Sequence, residues 1–124
     1  MRWLLHLALL CPVLLAGCGG DIPPEKLSQA ESAVQATLQA WQKGESLEKM
    51  TGTVGAVQFS EDWTRQFRLS SFQIQKVEYD PREQIIRCFT TLELLDRRGR
   101  TSSREAAYQV KLGSPIVVAR DPYF

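Results

Sequence analysis

Between Leu27 and Trp41 apolar side chains return every three or four residues, at Leu27, Ala30, Val34, Leu38 and Trp41. That spacing makes one stripe of a helix. Gln29, Glu31, Ser32, Gln35, Gln39 and Gln42 fall on the opposite face. Pro24 and Glu25 suit a first helical turn, and Gly44 after Lys43 supplies a stop. No later stretch repeats this period. A lone amphipathic helix must bury its stripe on something else, and the chain from Phe67 onward reads as strands. Ala30, Ala33, Ala36 and Ala40 are small enough to let the helix lie close to a sheet.

Four strands are expected from Arg68 onward. The first spans about Arg68–Tyr79. Its period slips, with Phe72 and Ile74 on one face and Val77 and Tyr79 on the other, so a bulge is expected near Gln75-Lys76. Asp80-Pro81-Arg82-Glu83 is a turn with proline in its usual second place. The second strand, about Gln84–Leu95, is apolar on both faces and reads as central. Asp96-Arg97-Arg98-Gly99-Arg100 turns into a third strand, about Thr101–Leu112, with Gly99 available for positive φ. Gly113-Ser114-Pro115 leads to a short fourth strand, Ile116–Arg120, and Tyr123 and Phe124 are expected to pack back onto the sheet. Between helix and strands, Ser46–Met50 reads as a short turn and Thr51–Gly55 as a loop. The passage carrying Val57, Phe59 and Trp63 reads as a crossing segment over one end of the domain, with Ser60 as a candidate cap. The expected fold is α+β: one long N-terminal helix on a four-stranded antiparallel meander. A free edge on the first or last strand would allow a dimer, and the pattern is equally compatible with a monomer.

That element order over residues 24–124 resembles the cystatin-like and ketosteroid-isomerase-like (nuclear-transport-factor-like) folds, in which a curved sheet wraps a helix. The resemblance is one of order, not of motif. It departs from the enzyme members, which have three helices and a histidine or an Asp-Tyr pair in a deep cone, so no catalytic residue is carried over.

The N-terminus has a different character. Met1-Arg2 is a short positive start, and Trp3–Leu15 is apolar apart from His6. The run is shorter than the roughly 20 residues of a membrane span and contains Pro12, so it reads as an export signal. Leu15-Ala16-Gly17-Cys18 closes it. Leucine, a small residue, glycine or alanine and then cysteine is the lipobox pattern, and the segment resembles that of bacterial lipoproteins. The resemblance implies a signal peptide over 1–17, cleavage between Gly17 and Cys18, and a diacylglyceryl thioether on Cys18, usually with a further acyl group such as palmitate on the new amine. Two or more chains anchor a protein stably without spanning the membrane. Gly19 rather than Asp after the cysteine favours the outer membrane, at its periplasmic face, in a Gram-negative envelope; otherwise the outer face of the cytoplasmic membrane is expected. Residues 18–23, with two glycines and the first of two prolines, read as a tether, and 24–124 as a single domain.

Removing 1–17 changes what chemistry is available. The one histidine, His6, and one of three cysteines, Cys11, go with it. Arg2 is the sole charge before Cys18, so the remainder carries equal numbers of each sign and has no general attraction for nucleic acid. Without histidine the commonest general base and metal ligand are missing. With Cys18 acylated, Cys88 has no disulfide partner; it sits mid-strand and reads as a buried inert thiol rather than a nucleophile. No phosphate-binding glycine loop or metal-ligand spacing is present, so no cofactor beyond the lipid and no metal are expected.

Two function classes remain. The first is a non-catalytic binding or scaffold module of the cell envelope, with a protein or polymer partner. Arg97, Arg98, Arg100 and Arg104 on the hairpin are then candidates for an anionic surface contact, or simply a solvated hairpin. The second is a small-molecule binder or isomerase-like enzyme, its pocket lined by Trp41, Trp63, Phe72 and Tyr108, with Asp62 beside Glu61 as general base. The same four aromatics are otherwise core.

Overall fold

A computed structural model of the chain describes residues 22–45, 50–52 and 55–124. The signal segment, Gly17, Cys18 and most of the tether lie outside the described residues, as does most of the turn expected over Ser46–Met50.

The helix α1 spans Pro24–Lys43. Proline stands in its first turn, and Glu25 there complements the helix dipole. Gly44 ends it at φ 76°, where glycine alone pays no Cβ cost. The Gly44 amide donates to the Trp41 carbonyl and the Glu45 amide to the Ala40 carbonyl, a Schellman closure. The buried stripe is Ala30, Ala33, Val34, Thr37, Leu38, Ala40 and Trp41. Burying Val34 and Leu38 contributes about 1.5–3 kcal/mol each. Thr37 is tolerated there because its hydroxyl donates to the Val34 carbonyl at 2.8 Å.

Six strands form one mixed sheet: β1 (Met50–Gly52), β2 (Gly55–Ser60), β3 (Arg68–Asp80), β4 (Ile85–Leu95), β5 (Thr101–Lys111) and β6 (Ile116–Arg120). Their order is β1-β2-β6-β5-β4-β3. β3 to β6 are the expected antiparallel meander. The bulge expected in the first strand is present: Ile74 faces Thr90 and Lys76 faces Phe89, so Gln75 is unpaired, and a second break falls between Leu69 and Ser71.

The sheet is larger than expected and not purely antiparallel. β2 lies parallel to β6, with Val57 opposite Ile116 and Phe59 opposite Val118, and β1 folds back on β2. The loop expected over Thr51–Gly55 therefore contributes strand residues on both sides. Two apolar positions, Val57 and Phe59, are too few to count as a period. The partner of β2 lies some sixty residues downstream, beyond any hairpin signal. β6 is in consequence an interior strand, and the sheet edges are β1 and β3.

One face of the sheet carries the core. Ile86, Cys88, Leu92 and Leu94 of β4, Ala106, Tyr108 and Val110 of β5, and Ile116 and Val118 of β6 pack with the α1 stripe. Thr90 in that row donates to the Ala106 carbonyl. At the C-terminal end of α1 the Trp41 indole donates to the Phe67 carbonyl at 3.1 Å and Gln42 to the Ser70 carbonyl at 2.8 Å. At its other end Ile22 and Lys26 lie beside Tyr79, Gln84 and Leu112. The helix thus runs antiparallel to β3, and the β4–β5 hairpin tip lies at the pole opposite the point where the chain enters α1. A 20-residue helix is about 30 Å long, which sets the separation of the two poles. Phe124 packs edge-on against Phe89 at 4.9 Å on the outer face, as expected, whereas Tyr123 is 94% exposed.

Candidate functional site

The tip of the β4–β5 hairpin is held by Asp96. Its Oδ1 accepts the amides of Arg98 (2.8 Å) and Arg100 (2.9 Å), and Gly99 turns the chain at φ 81°. The Arg100 amide, with that of Arg98, holds the Asp96 carboxyl below the usual carboxylate range, against the cost of burial. The other carboxylate oxygen, Oδ2, lies 3.4 Å from Arg100 Nε, an ion pair at the surface, and Arg97, Arg98 and Arg100 are all exposed. A cleft of about 340 Å³ separates this tip from Arg65, Gln66, Phe67 and Arg68 of the crossing segment. A shallower recess continues it past Arg97, Arg98 and Arg100. Five arginines from two segments therefore surround one depression, with Asp96 as the acid among its lining residues. Sequence alone does not single out Arg65 and Arg68, because thirty residues separate them from the tip.

Arg104 does not join that group. It lies on the helix-side face of β5, with its guanidinium 5.1 Å from the Trp63 ring centroid and 4.9 Å from that of Phe67. Three turn residues point outward together, but a strand residue four places on is governed by the strand's period.

Beside it sits a buried polar cluster on a carboxylate that the residue pattern did not mark. Asp62, the candidate base, is exposed, and its neighbour Glu61 is the buried one. Glu61 Oε2 accepts the Tyr108 hydroxyl at 2.8 Å, and Oε1 accepts the Trp63 amide at 3.0 Å, capping the short 3-10 helix Asp62–Arg65. Glu61 rather than Ser60 is thus the cap. Arg120 Nη1 lies 3.5 Å from Oε1, and its guanidinium stacks 3.8 Å from the Trp63 ring centroid. Burial, then the neighbouring Glu61 carboxyl, pushes the Tyr108 hydroxyl well above its ordinary pKa. Strand parity held the signal: Val57, Phe59 and Glu61 are two residues apart and share a face.

The four aromatics proposed as pocket or core take core positions. Trp41 and Tyr108 are buried, and Trp63 and Phe72 are partly buried against the same cluster. Cys88 is fully buried, and burial, with Glu31 adding to it, pushes its thiol up to about 12. Among the described residues no group of His, Cys, Asp or Glu is placed to hold a metal ion. None of the described helices is long and apolar enough to cross a membrane.

The outer face of the sheet carries a second network. Arg87 donates to Asp121 Oδ2 at 2.9 Å, Asp80 Oδ2 at 2.7 Å and Glu83 Oε2 at 3.2 Å. Asp80 is held below the usual range, foremost by Arg87. For Asp121 burial acts upward but is outweighed by the Tyr123 amide and Arg87, so it too is lowered. Carboxyls with depressed pKa contribute stability that is present above their unfolded value, about 3.9, and lost as pH falls through the folded ones. Asp121→Asn is expected to cost about 1.5–3 kcal/mol at pH 7. It should also flatten the fall in stability below about pH 4, as read by urea melts across pH.

Comparison with known proteins gave no match to a family model, to a curated sequence or to a solved structure.

Proposed function

We propose that this chain is an exported bacterial lipoprotein whose folded domain is a non-catalytic binding or scaffold module of the cell envelope. Residues 1–17 are removed, Cys18 carries the lipid, and residues 18–23 tether the domain over 24–124. The observation that carries the reading is Leu15-Ala16-Gly17-Cys18 placed directly after the apolar run. Several features of the domain support a binding role. Cys88 is sequestered, and the Glu61 carboxyl is engaged by Tyr108 and the Trp63 amide. Trp41, Phe72 and Tyr108 pack within or against the core. The exposed charge asymmetry, at Arg65, Arg68, Arg97, Arg98 and Arg100, lies at the pole away from the start of α1. An anchor at Cys18 would leave that pole directed into the space beyond the membrane.

Cell fractionation of a Cys18→Ser variant tests the reading. The wild-type chain is expected in the membrane pellet and the variant in the soluble fraction or as an unprocessed precursor. A variant that is processed normally and stays in the pellet would show that the anchor is something other than a lipid on Cys18.

A further inference from the structure

β6 covers only part of β5. It pairs with Tyr108–Lys111, and the Asp121 amide then reaches the Ala107 carbonyl at 2.8 Å. Above that point β5 continues for six residues, paired on its other side with β4 from Thr101 to Val110 and without a register break. Because the Ala107 carbonyl points toward β6, strand parity points the N–H and C=O of Glu105, Ser103 and Thr101 the same way. Among the described residues these groups have no backbone partner, and all three side chains are exposed.

The other long edge, β3, is guarded. It has two register breaks, its Ser70 carbonyl is taken by Gln42, and Lys76 and Glu78 form an ion pair along it. Such devices keep an edge from pairing with other chains. Among the described residues the open stretch of β5 has no bulge and no ion pair along it, and its one acid, Glu105, is on the outer face, away from Arg104. Its flanks are basic: Arg98 and Arg100 at the top, and Arg104 on the helix-side face.

We propose that the open edge of β5, Thr101–Glu105, takes an extended acidic segment of a partner protein as an added strand. Main-chain pairing would supply affinity and alternate side chains specificity. Residues of the added strand on the helix side would lie near Arg104, so acidic side chains belong at alternate positions there. Arginine's fork suits carboxylates. The backbone groups favour a peptide over a phosphate polymer or lipid head group, neither of which can form a ladder. A second copy is disfavoured, because in an antiparallel pair of β5 edges the helix-side residues laid beside Arg104 would be Ser102, Arg104 and Ala106, none of them acidic. Tyr123, 94% exposed and two residues past the Asp121 amide that reaches Ala107, offers an aromatic contact beside the lower end of the edge.

The inference rests on reading the domain as a binding module, and its test does not depend on the anchor. Full-length protein in non-ionic detergent is titrated into a fluorescent octapeptide of alternating glutamate and valine. Saturable, salt-sensitive binding is expected. Ser103→Pro removes an outward N–H and none of the β4 pairing, so it should fold and weaken binding about ten-fold or more. Arg98→Glu with Arg100→Glu should do the same. A peptide with two valines replaced by proline should not bind. The proposal is overturned if the octapeptide fails to bind, if Ser103→Pro is without effect, or if the proline peptide binds equally well. Binding to phosphatidylglycerol vesicles in place of the peptide would also overturn it. If the peptide fails while Cys18→Ser behaves as expected, the edge assignment falls and the lipoprotein reading stands.

Discussion

Glu61→Ala is expected to destabilise the domain by about 3–5 kcal/mol, the range for breaking a buried charged pair by removing one partner. The Glu61 side chain is wholly inaccessible to solvent. Its loss would leave two donors without their acceptor, the Tyr108 hydroxyl at 2.8 Å and the Trp63 amide at 3.0 Å, and would take away the carboxylate facing Arg120 Nη1. Arg120 Nη1 is itself buried and makes no hydrogen bond, so the Glu61 carboxyl 3.5 Å away is what offsets its charge. Asp62→Ala, one residue on and exposed, should stay within about 0.5 kcal/mol. Urea unfolding of the two variants separates them at once. Tyr108→Phe removes one bond and should cost about 1–3 kcal/mol. A double-mutant cycle of Glu61→Ala with Tyr108→Phe should return a coupling of about 1 kcal/mol or more. Equal, small effects at positions 61 and 62 would contradict the burial of Glu61.

Trp41→Ala is expected to cost about 3–5 kcal/mol as well, by a different route. The indole is buried among core side chains, and its N–H donates to the Phe67 carbonyl, tying the end of α1 to the crossing segment. Truncation opens a cavity and orphans that carbonyl. If Trp41 were instead the wall of a ligand pocket, its loss would leave the melting midpoint nearly unchanged and cost ligand affinity alone. Thermal melts of the free protein decide between these outcomes.

How much of the fold and site is legible in the sequence depends on the range of the signal. α1 is readable to its ends because its stripe, its proline and Gly44 all lie within the element. The bulge at Gln75 is readable because a slip from one face to the other can be reconciled only by an extra residue. The parallel pairing of β2 with β6 is not, since neither strand carries information about a partner so far along the chain. The same limit hides the arginine pole: Arg97, Arg98 and Arg100 are consecutive enough to notice, but Arg65 and Arg68 reach them only through the fold. Glu61 is a miss of another kind. Its parity with Val57 and Phe59 is present in the sequence, but with β2 taken for part of a crossing segment there is no face on which to place it. The Arg87 network has Asp80 and Glu83 close in sequence, yet Asp121 joins it only because β6 and β5 bring the C-terminal segment alongside β4.

Anchoring through Cys18 is the claim on which the location and orientation of the domain rest. Intact mass spectrometry of the protein extracted from membranes tests it most directly. A chain beginning at Cys18 and carrying the added mass of a diacylglyceryl group, with or without a further acyl chain, is the result expected. A chain that retains Met1, starts at another residue, or has an unmodified Cys18 would contradict it.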